Sequence, residues 1–577
     1  MAARHGAVHV ATTRRVYKGK TYVTHLLRRS IRKGQTVTHE TLGNLSHLPD
    51  HLIEIIKRSL KGETFVPAAE AFRTTRSLPH GHVDAVLTMI RKLGLEELIA
   101  SEASPRRDLV IAMIAERLLF PSSKLAHTRH WHSTTLAQEL DVAYATEDHL
   151  YEAMDWLLKR QGAIEKKLAR RHLGEGAMVL YDVTSSYYEG KTCPLARFGH
   201  DRDGKTGCPI IVYGVLTDAD GRPVAVQVYP GNTGDPKTVP DQVETLTQRF
   251  GLSRVVLVGD RGMLTQTQID MLKKHPGLGW ISALRSGAIR RLLDDGHLIR
   301  KDLEVERLAE IISPQFPDER LVACYNAQLA EQRRHKRQEL LAATQADLEE
   351  LAASVARPTG QPEKAAEIGV RAGKIINHYK VAKHFTLTIR DGYLGWARKQ
   401  GAIQKEELLD GIYVIRTSEP AERLKAADGV RSYKRLALVE QSFRCLKGID
   451  LLVRPIYHRV ADRVRAHILL CLLAYYVEWH LRQAWEPLLF EDEELVVDRK
   501  RRDPVAPARA SNSVRLKKKA HLTPEGLPVQ SFRTLLAHLG TRCRNRCVVA
   551  GDPKETTFFQ VTEADALQAE ALRLIKM

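Results

Sequence analysis

Asp182 closes the short apolar run LYDVTS, and Asp260 closes VLVGDRG. A carboxylate at the tip of an apolar strand rides on a rigid element and projects from the sheet edge, where it can ligate a metal ion. Either aspartate alone reads equally as a turn former or helix cap. Two on neighbouring strands can converge on one ion. A third acid comes from SYKRLALVEQSFRCLKGID, expected as one helix, in which Tyr433, Glu440 and Lys447 recur every seven residues. Seven residues make almost two turns, so the three are expected on one face, about 10 Å apart. Arg444, four residues after Glu440, adds positive charge nearby. A carboxylate flanked by a phenol and an ammonium suits metal binding beside a phosphodiester track, although an ordinary solvated face uses the same residues. Oxygen-only ligands select hard ions, Mg²⁺ or Mn²⁺, and two such ions can drive phosphodiester hydrolysis.

The elements that must hold these acids are visible as changes of texture. From about Val83 to Leu173 apolar residues recur at three- and four-residue steps, which predicts helices. From Ala177 the pattern becomes short β-branched runs: MVLYDVTSSYY, IIVYGVLTD, RPVAVQVYPG and RVVLVGDRG, with a hairpin signal at DADGRP. Helical stretches and the strand-like LGWISAL follow. Together these predict an α/β fold with a mixed sheet. A long charged helical stretch from Ala327, ending at RPTGQP, then the strand-like FTLTIRDG and GIYVIRTS, separate Asp260 from Glu440. Val464–Leu481 is expected as an apolar helix.

At 577 residues the chain is too long for one core, and about 150 residues per domain predicts three or four. Lys plus Arg number 88 against 69 Asp plus Glu, a net of +19 that points to a polyanionic partner. Twelve of the cations against three acids lie before residue 63, a net of +9 that includes Arg28, Arg29, Arg32 and Lys33. A second basic cluster, Arg499–Arg502 and Lys517–Lys519, flanks DPVAPARASNS, which reads as a mobile linker. Both clusters are expected to contact DNA backbone, although each also reads as solvated surface. Seven scattered cysteines argue against a disulfide scaffold, and a lone C-x3-C near His538 is weak grounds for zinc. The first twenty residues lack the apolar run of a signal peptide, and no apolar stretch is long enough to span a bilayer. No phosphate-binding loop of the G-x4-GK[ST] type is present. A soluble, cytoplasmic protein is expected, with no membrane partner.

YDVTS, PGNTGD, VGDRGM, then Y-x6-E-x6-K followed by RPIYHR-x7-HI form an ordered set over about Met178–Leu481. The set resembles the bacterial insertion-sequence DDE transposases of the IS-four superfamily, in particular the long branch with a large insertion before the Glu. The resemblance implies an RNase-H-like catalytic core with a large insertion, joined to a mostly helical N-terminal region. Asp182, Asp260 and Glu440 would be the catalytic triad, 78 and 180 residues apart. Asp182 would bridge two Mg²⁺ or Mn²⁺ ions, with Asp260 and Glu440 each holding mainly one, while Tyr433, Arg444 and Lys447 meet DNA. One departure stands out: the arginine usual three residues after the Tyr is Leu436 here.

On this reading residues 1–80 bind DNA, and 81–175 form a helical accessory or dimerisation region. Residues 176–284 and 429–490 build the core around an insertion at 285–428, and 491–577 form a basic C-terminal region. The implied activity is cleavage of double-stranded DNA at terminal inverted repeats and strand transfer into target DNA, by a homodimer associated with the bacterial nucleoid. The alternatives are an RNase-H-like nuclease that cuts without joining, and a catalytically silent DNA-binding protein.

Overall fold

The computed structural model describes all residues except 1–3, 34–35, 66, 68–70, 358–360, 495–496, 499–500, 507–508 and 550–555. Strands β1 (Arg4–Tyr17), β2 (Lys20–Lys33) and β3 (Thr36–Asn44) precede helix α1 (Asp50–Leu60) and strand β4 (Phe72–Pro79). A helical region follows, including α2 (Pro105–Leu119) and α3 (Lys124–His130). Next come β5 (Ala177–Tyr187), β6 (Ile210–Thr217), β7 (Pro223–Pro230), β8 (Val255–Val258) and β9 (Leu278–Ala283). Strands β10 (Leu308–Ile311) and β11 (Arg320–Tyr325) lead into the long helix α4 (Ala327–Val355). The hairpin β12 (Phe385–Arg390) and β13 (Tyr393–Arg398) precedes β14 (Ile412–Thr417). Helices α5 (Ala426–Lys434), α6 (Leu436–Lys447) and α7 (Ala461–Trp485) follow, and β15 (Cys543–Val549) and β16 (Thr557–Val561) lie near the end.

The chain divides into two compact units, Met1–Ser77 with Arg544–Thr562, and Leu78–Cys543 with Glu563–Met577. The larger unit is built on one sheet of order β10-β11-β14-β9-β8-β5-β6-β7. Within it, β5, β6 and β7 are antiparallel neighbours, and β8 and β9 run parallel to β5. Three hairpin-linked strands followed by two parallel ones make an RNase-H-like core, with helices flanking the mixed sheet. The all-apolar β8, VVLV, is wholly buried, as a central parallel strand covered on both faces must be. Helix α7 runs from Ala461 to Trp485, and Ile468–Val477 is buried without interruption. It packs against α2 and β7, so helices of the segment before the sheet share the same hydrophobic core. The segment between β9 and α5 divides its strands: β10, β11 and β14 extend the main sheet, while β12 and β13 pair only with each other and pack with α4 around a separate small core.

Three features depart from the pattern-based expectations. The basic block before residue 45 is a three-stranded antiparallel sheet, and helices dominate only from residue 81 onward. Its strands alternate charged with small or β-branched residues, and neither face carries the long apolar stripe that marks a strand in sequence. The stretch around DPVAPARASNS is docked where it is described: Val505 is buried, and its carbonyl accepts from Asn326 Nδ2 at 2.8 Å. Arg499 and Lys500 of the second basic cluster lie outside the described residues. Finally, the helix expected to carry Tyr433, Glu440 and Lys447 is two helices, with Arg435 as a turn residue between α5 and α6.

Candidate active site

Strands β5 and β8 pair in parallel from Ala177 opposite Val255 to Leu180 opposite Val258. The 78-residue offset is constant, and continuing it sets Asp182 opposite Asp260, which lies just past the end of β8. Strand β5 itself runs on, buried through Ser186, to Tyr187, so Asp182 sits within its strand and does not end it as the apolar run suggested. Asp182 still lies within β5, paired to Val215 of β6, and its Oδ1 accepts from the Val183 amide at 2.7 Å. Asp260 follows β8, and its Oδ1 accepts from the amides of Gly262 (2.9 Å) and Met263 (2.7 Å). One oxygen of Asp260 therefore does act as the turn former that a lone strand-end aspartate suggests.

Burial pushes the Asp182 carboxyl up to about 7; the Val183 amide opposes this, and the negative Asp260 adds to it. Two acids so placed repel each other in a poorly solvated spot, and a bound cation relieves that repulsion. The donor set is oxygen only, which fits a hard divalent ion.

Helix α6, which carries Glu440, packs on β5. Glu440 is exposed, with Arg444 at 3.8 Å across one helical turn. Tyr433, at the end of α5, links the set. Its phenol is pushed up to about 12, first by burial, then by Asp260, with Asp182 and Glu440 also contributing and Arg261 opposing. One phenol thus feels all three carboxylates. Lys447 does not share the exposed surface of Glu440. Its Nζ is mostly buried and pairs with Asp203 at 2.8 Å, and Arg454 pairs with the same carboxylate. Burial holds the Lys447 ammonium below its usual range, and Asp203 opposes that shift.

Several residues around Asp182 carried no sequence signal. Arg202 and Asp235 form an ion pair, and both act electrostatically on Asp182. Asp235 belongs to PGNTGD, so the turn bearing Asn232 lies beside the candidate site and lines a cavity of about 300 Å³ with Arg202. Gly231 fixes this turn. A Cβ there would lie 2.1 Å from the Ile210 carbonyl oxygen and 2.4 Å from that of Arg197.

Other possible centres are weaker. Among the described residues, the one group of three metal-binding side chains with ligand atoms within 4.8 Å is Cys445, Asp450 and Glu478. Arg482 already sits on both carboxylates, at 3.0 Å from Asp450 and 2.7 Å from Glu478, and supplies the positive charge an ion would bring. Cys547 is buried, and His538 pairs with Asp565 at 2.8 Å. Trp280 is a core residue.

In the smaller unit, alternation along β2 puts Arg28 and Arg32 on one face and Arg29 on the other. The second face also carries Val23, Leu27 and Ile31, together with His25, whose Nε2 lies 3.9 Å from Asp50 of α1. Helix α1 therefore borders the face of Arg29, and Arg28 and Arg32 point the other way. The side chain of Lys33 lies outside the described residues.

No helix among the described residues is long and apolar enough to cross a membrane. The profile of a family described as "Transposase DDE domain" matches residues 179–477. No curated protein matches the chain. Among solved structures, a cryo-EM structure of a piggyBac transposase synaptic complex with hairpin DNA is similar at 11% identity and a TM-score of 0.32, covering 80% of this chain and 76% of that one. A likeness at that level carries no argument about this chain. The matched family segment begins within β5 and ends within α7, so it contains all three candidate acids.

Proposed function

The chain belongs to the transposase DDE domain family, and from that premise we propose that it is an insertion-sequence transposase of the IS-four kind. In this reading it binds the inverted repeats at the ends of its element, cuts the DNA there and joins the freed 3′ ends to target DNA. Asp182, Asp260 and Glu440 would hold two Mg²⁺ or Mn²⁺ ions. The observation that carries the proposal is the shared register of Asp182 and Asp260 on adjacent parallel strands, with Tyr433 coupled to both and to Glu440.

Two divalent ions held by Asp182, Asp260 and Glu440 would supply activation of the attacking oxygen and stabilisation of charge on the phosphate and the leaving 3′ oxygen. The chain's own residues supply the rest. Strands β5 and β8 hold the two aspartates rigidly, and the backbone amides on each Oδ1 fix their rotamers. Tyr433, kept neutral by burial and the surrounding acids, has an O–H to donate to a phosphate oxygen. Arg444 offers its exposed guanidinium to the DNA backbone beside Glu440. Lys447 acts through Asp203, which ties α6 to Arg454 and to the loop after β5. The face of Arg28 and Arg32 would track the backbone of the element's end. Two copies acting together on paired ends would form the synaptic complex.

Asp182→Asn, Asp260→Asn and Glu440→Gln test this directly. Each is expected to lower cleavage of element-end DNA about a thousandfold, roughly 4 kcal/mol of transition-state stabilisation, while gel-shift binding persists. Near-normal cutting by any one of them removes that residue from the triad. Cleavage without insertion into a plasmid would leave a nuclease that does not join.

A further inference from the structure

Away from the carboxylates, a cleft of about 570 Å³ opens in the larger unit between the α2–α3 turn and the segment 452–467. Its wall carries Arg117, Lys124, Arg454, His458, Arg463 and His467. Lys124 is 3% exposed, and its Nζ has no hydrogen-bond partner. Arg117 is equally buried; its Nη1 reaches the Leu451 carbonyl at 3.4 Å, while its Nε is unpartnered. The Nδ1 of His467 and both ring nitrogens of His127, behind the wall, are also without partners. Among the described residues, no carboxylate lies within 4 Å of Arg117, Lys124, His458 or His467.

Such a set is costly to fold. A buried ammonium without a counter-charge loses hydration that nothing returns. The strain appears in the titration of each member. Burial, then Arg117, pulls Lys124 down to about 7. Burial, then Lys124, Arg117 and Arg463, pulls His458 down to about 3. His127 and His467 are held well below their usual range for the same reasons. Of the nearby acids, Glu116 meets His130 through Oε1, while its Oε2 is buried, unpartnered and acts electrostatically on Arg117, and Asp155 lies 3.6 Å from Arg463 at the mouth.

The geometry points to this cleft as a binding site for a phosphoryl group, carried by DNA or by a free phosphate ester. Lys124 and the guanidinium side chains of Arg117, Arg454 and Arg463 line one space, a donor set that matches a tetrahedral dianion. The cleft is larger than one phosphate needs, which leaves room for the organic remainder. Arg454 connects it to the acidic site, because its partner Asp203 also holds Lys447, seven residues after Glu440. Nothing here depends on the triad, so the site stands or falls separately from the proposed cleavage.

The test uses the full chain, with pyrophosphate and an oligonucleotide bearing either a 5′-phosphate or a 5′-hydroxyl, at constant ionic strength. Thermal unfolding and calorimetry read binding, since a ligand of the native state raises the midpoint. Lys124→Met removes the unpartnered charge at similar length, and is expected to weaken phosphate binding at least about tenfold without lowering the ligand-free midpoint. Arg463→Gln, at the half-exposed mouth, gives a second variant that leaves the interior intact and is expected to weaken binding in the same sense. If the 5′-phosphate tightens oligonucleotide binding and Lys124→Met abolishes that gain, the phosphate belongs to DNA. If only pyrophosphate binding depends on Lys124, it is a free ester. Absence of binding by both probes, or binding unaltered in both variants, overturns the site.

Discussion

The proposed role of Asp182 makes two demands: the residue must sit on a strand stiff enough to hold position, and it must stay a carboxylate. Its burial and the neighbouring Asp260 work against ionisation, so the site is poised to gain from a cation. The position of Asp260 was legible from sequence because a strand end leaves a sharp mark, an apolar run stopped by an acid; that of Asp182 was misjudged, because β5 continues past it to Tyr187. Arg202, Asp203 and Arg454 were not legible, because they lie in loops whose pairing depends on the fold. Lys447 shows the converse: its spacing from Glu440 was regular, yet its charge is paired inward with Asp203. A second residue-scale case is His172. Arg222 Nη1 donates to its Nδ1 at 2.8 Å, and Tyr476 Oη lies 2.9 Å from its Nε2. Arginine can only donate, so the ring is neutral with its proton on Nε2. Burial, then Arg222 and Arg171, lowers its pKa to about 4. The folded value lies below the unfolded one of 6.5, so the unfolded chain binds the extra proton between them. Stability from this histidine is complete above about pH 6.5 and is lost as pH falls toward 4. Between pH 7 and 5 the native chain should lose about 1 kcal/mol more than His172→Gln, after allowance for solvent screening, as read from urea midpoints.

At the scale of elements, the core strands and α7 were readable because their burial is nearly complete, and complete burial leaves continuous apolar runs. The break at Arg435 was not readable. Helix propensity stays good through YKRLALVEQ, and the change of direction reflects packing of α5 near β9 and β14 and of α6 on β5. Strands β1 to β3 were missed because their sheet has charge on both faces. That arrangement yields its own prediction. The surface turned away from α1 carries Arg15, Arg28 and Arg32 without an acid among their direct partners, whereas Arg29 pairs across the ladder with Glu40. Replacing Arg28 and Arg32 together by Gln should flatten the salt dependence of DNA binding by up to about two units of log–log slope. Arg29→Gln should change it far less. Equal effects from both surfaces would rule out a single DNA-facing side.

Across the whole molecule the apolar burial is uneven. In the smaller unit, the buried hydrophobic side chains among the described residues are Ile53, Cys547 and Val548, while the larger unit holds extensive continuous cores. A body with so little interior cannot gain much stability from its own packing. Amides of β1 to β3 should therefore exchange with solvent at least about a hundredfold faster than those of β5, β8 and α7 in the free protein. Their protection should rise when element-end DNA is added; exchange as slow as that of the core strands without DNA would contradict this account. The net charge of +19 is well suited to that arrangement, because phosphate contacts can stabilise a body that lacks a core. The addition of β14 to β9 has a consequence for synthesis. Strand β9, next to the strand that precedes Asp260, has an unpaired edge until residue 417 has been made, more than 130 residues later. Through that interval the nascent chain carries an open row of peptide groups able to pair with another copy. The intervening segment thus completes the sheet that carries Asp182 as well as interrupting its sequence, and removing it would leave that row permanently available for aggregation.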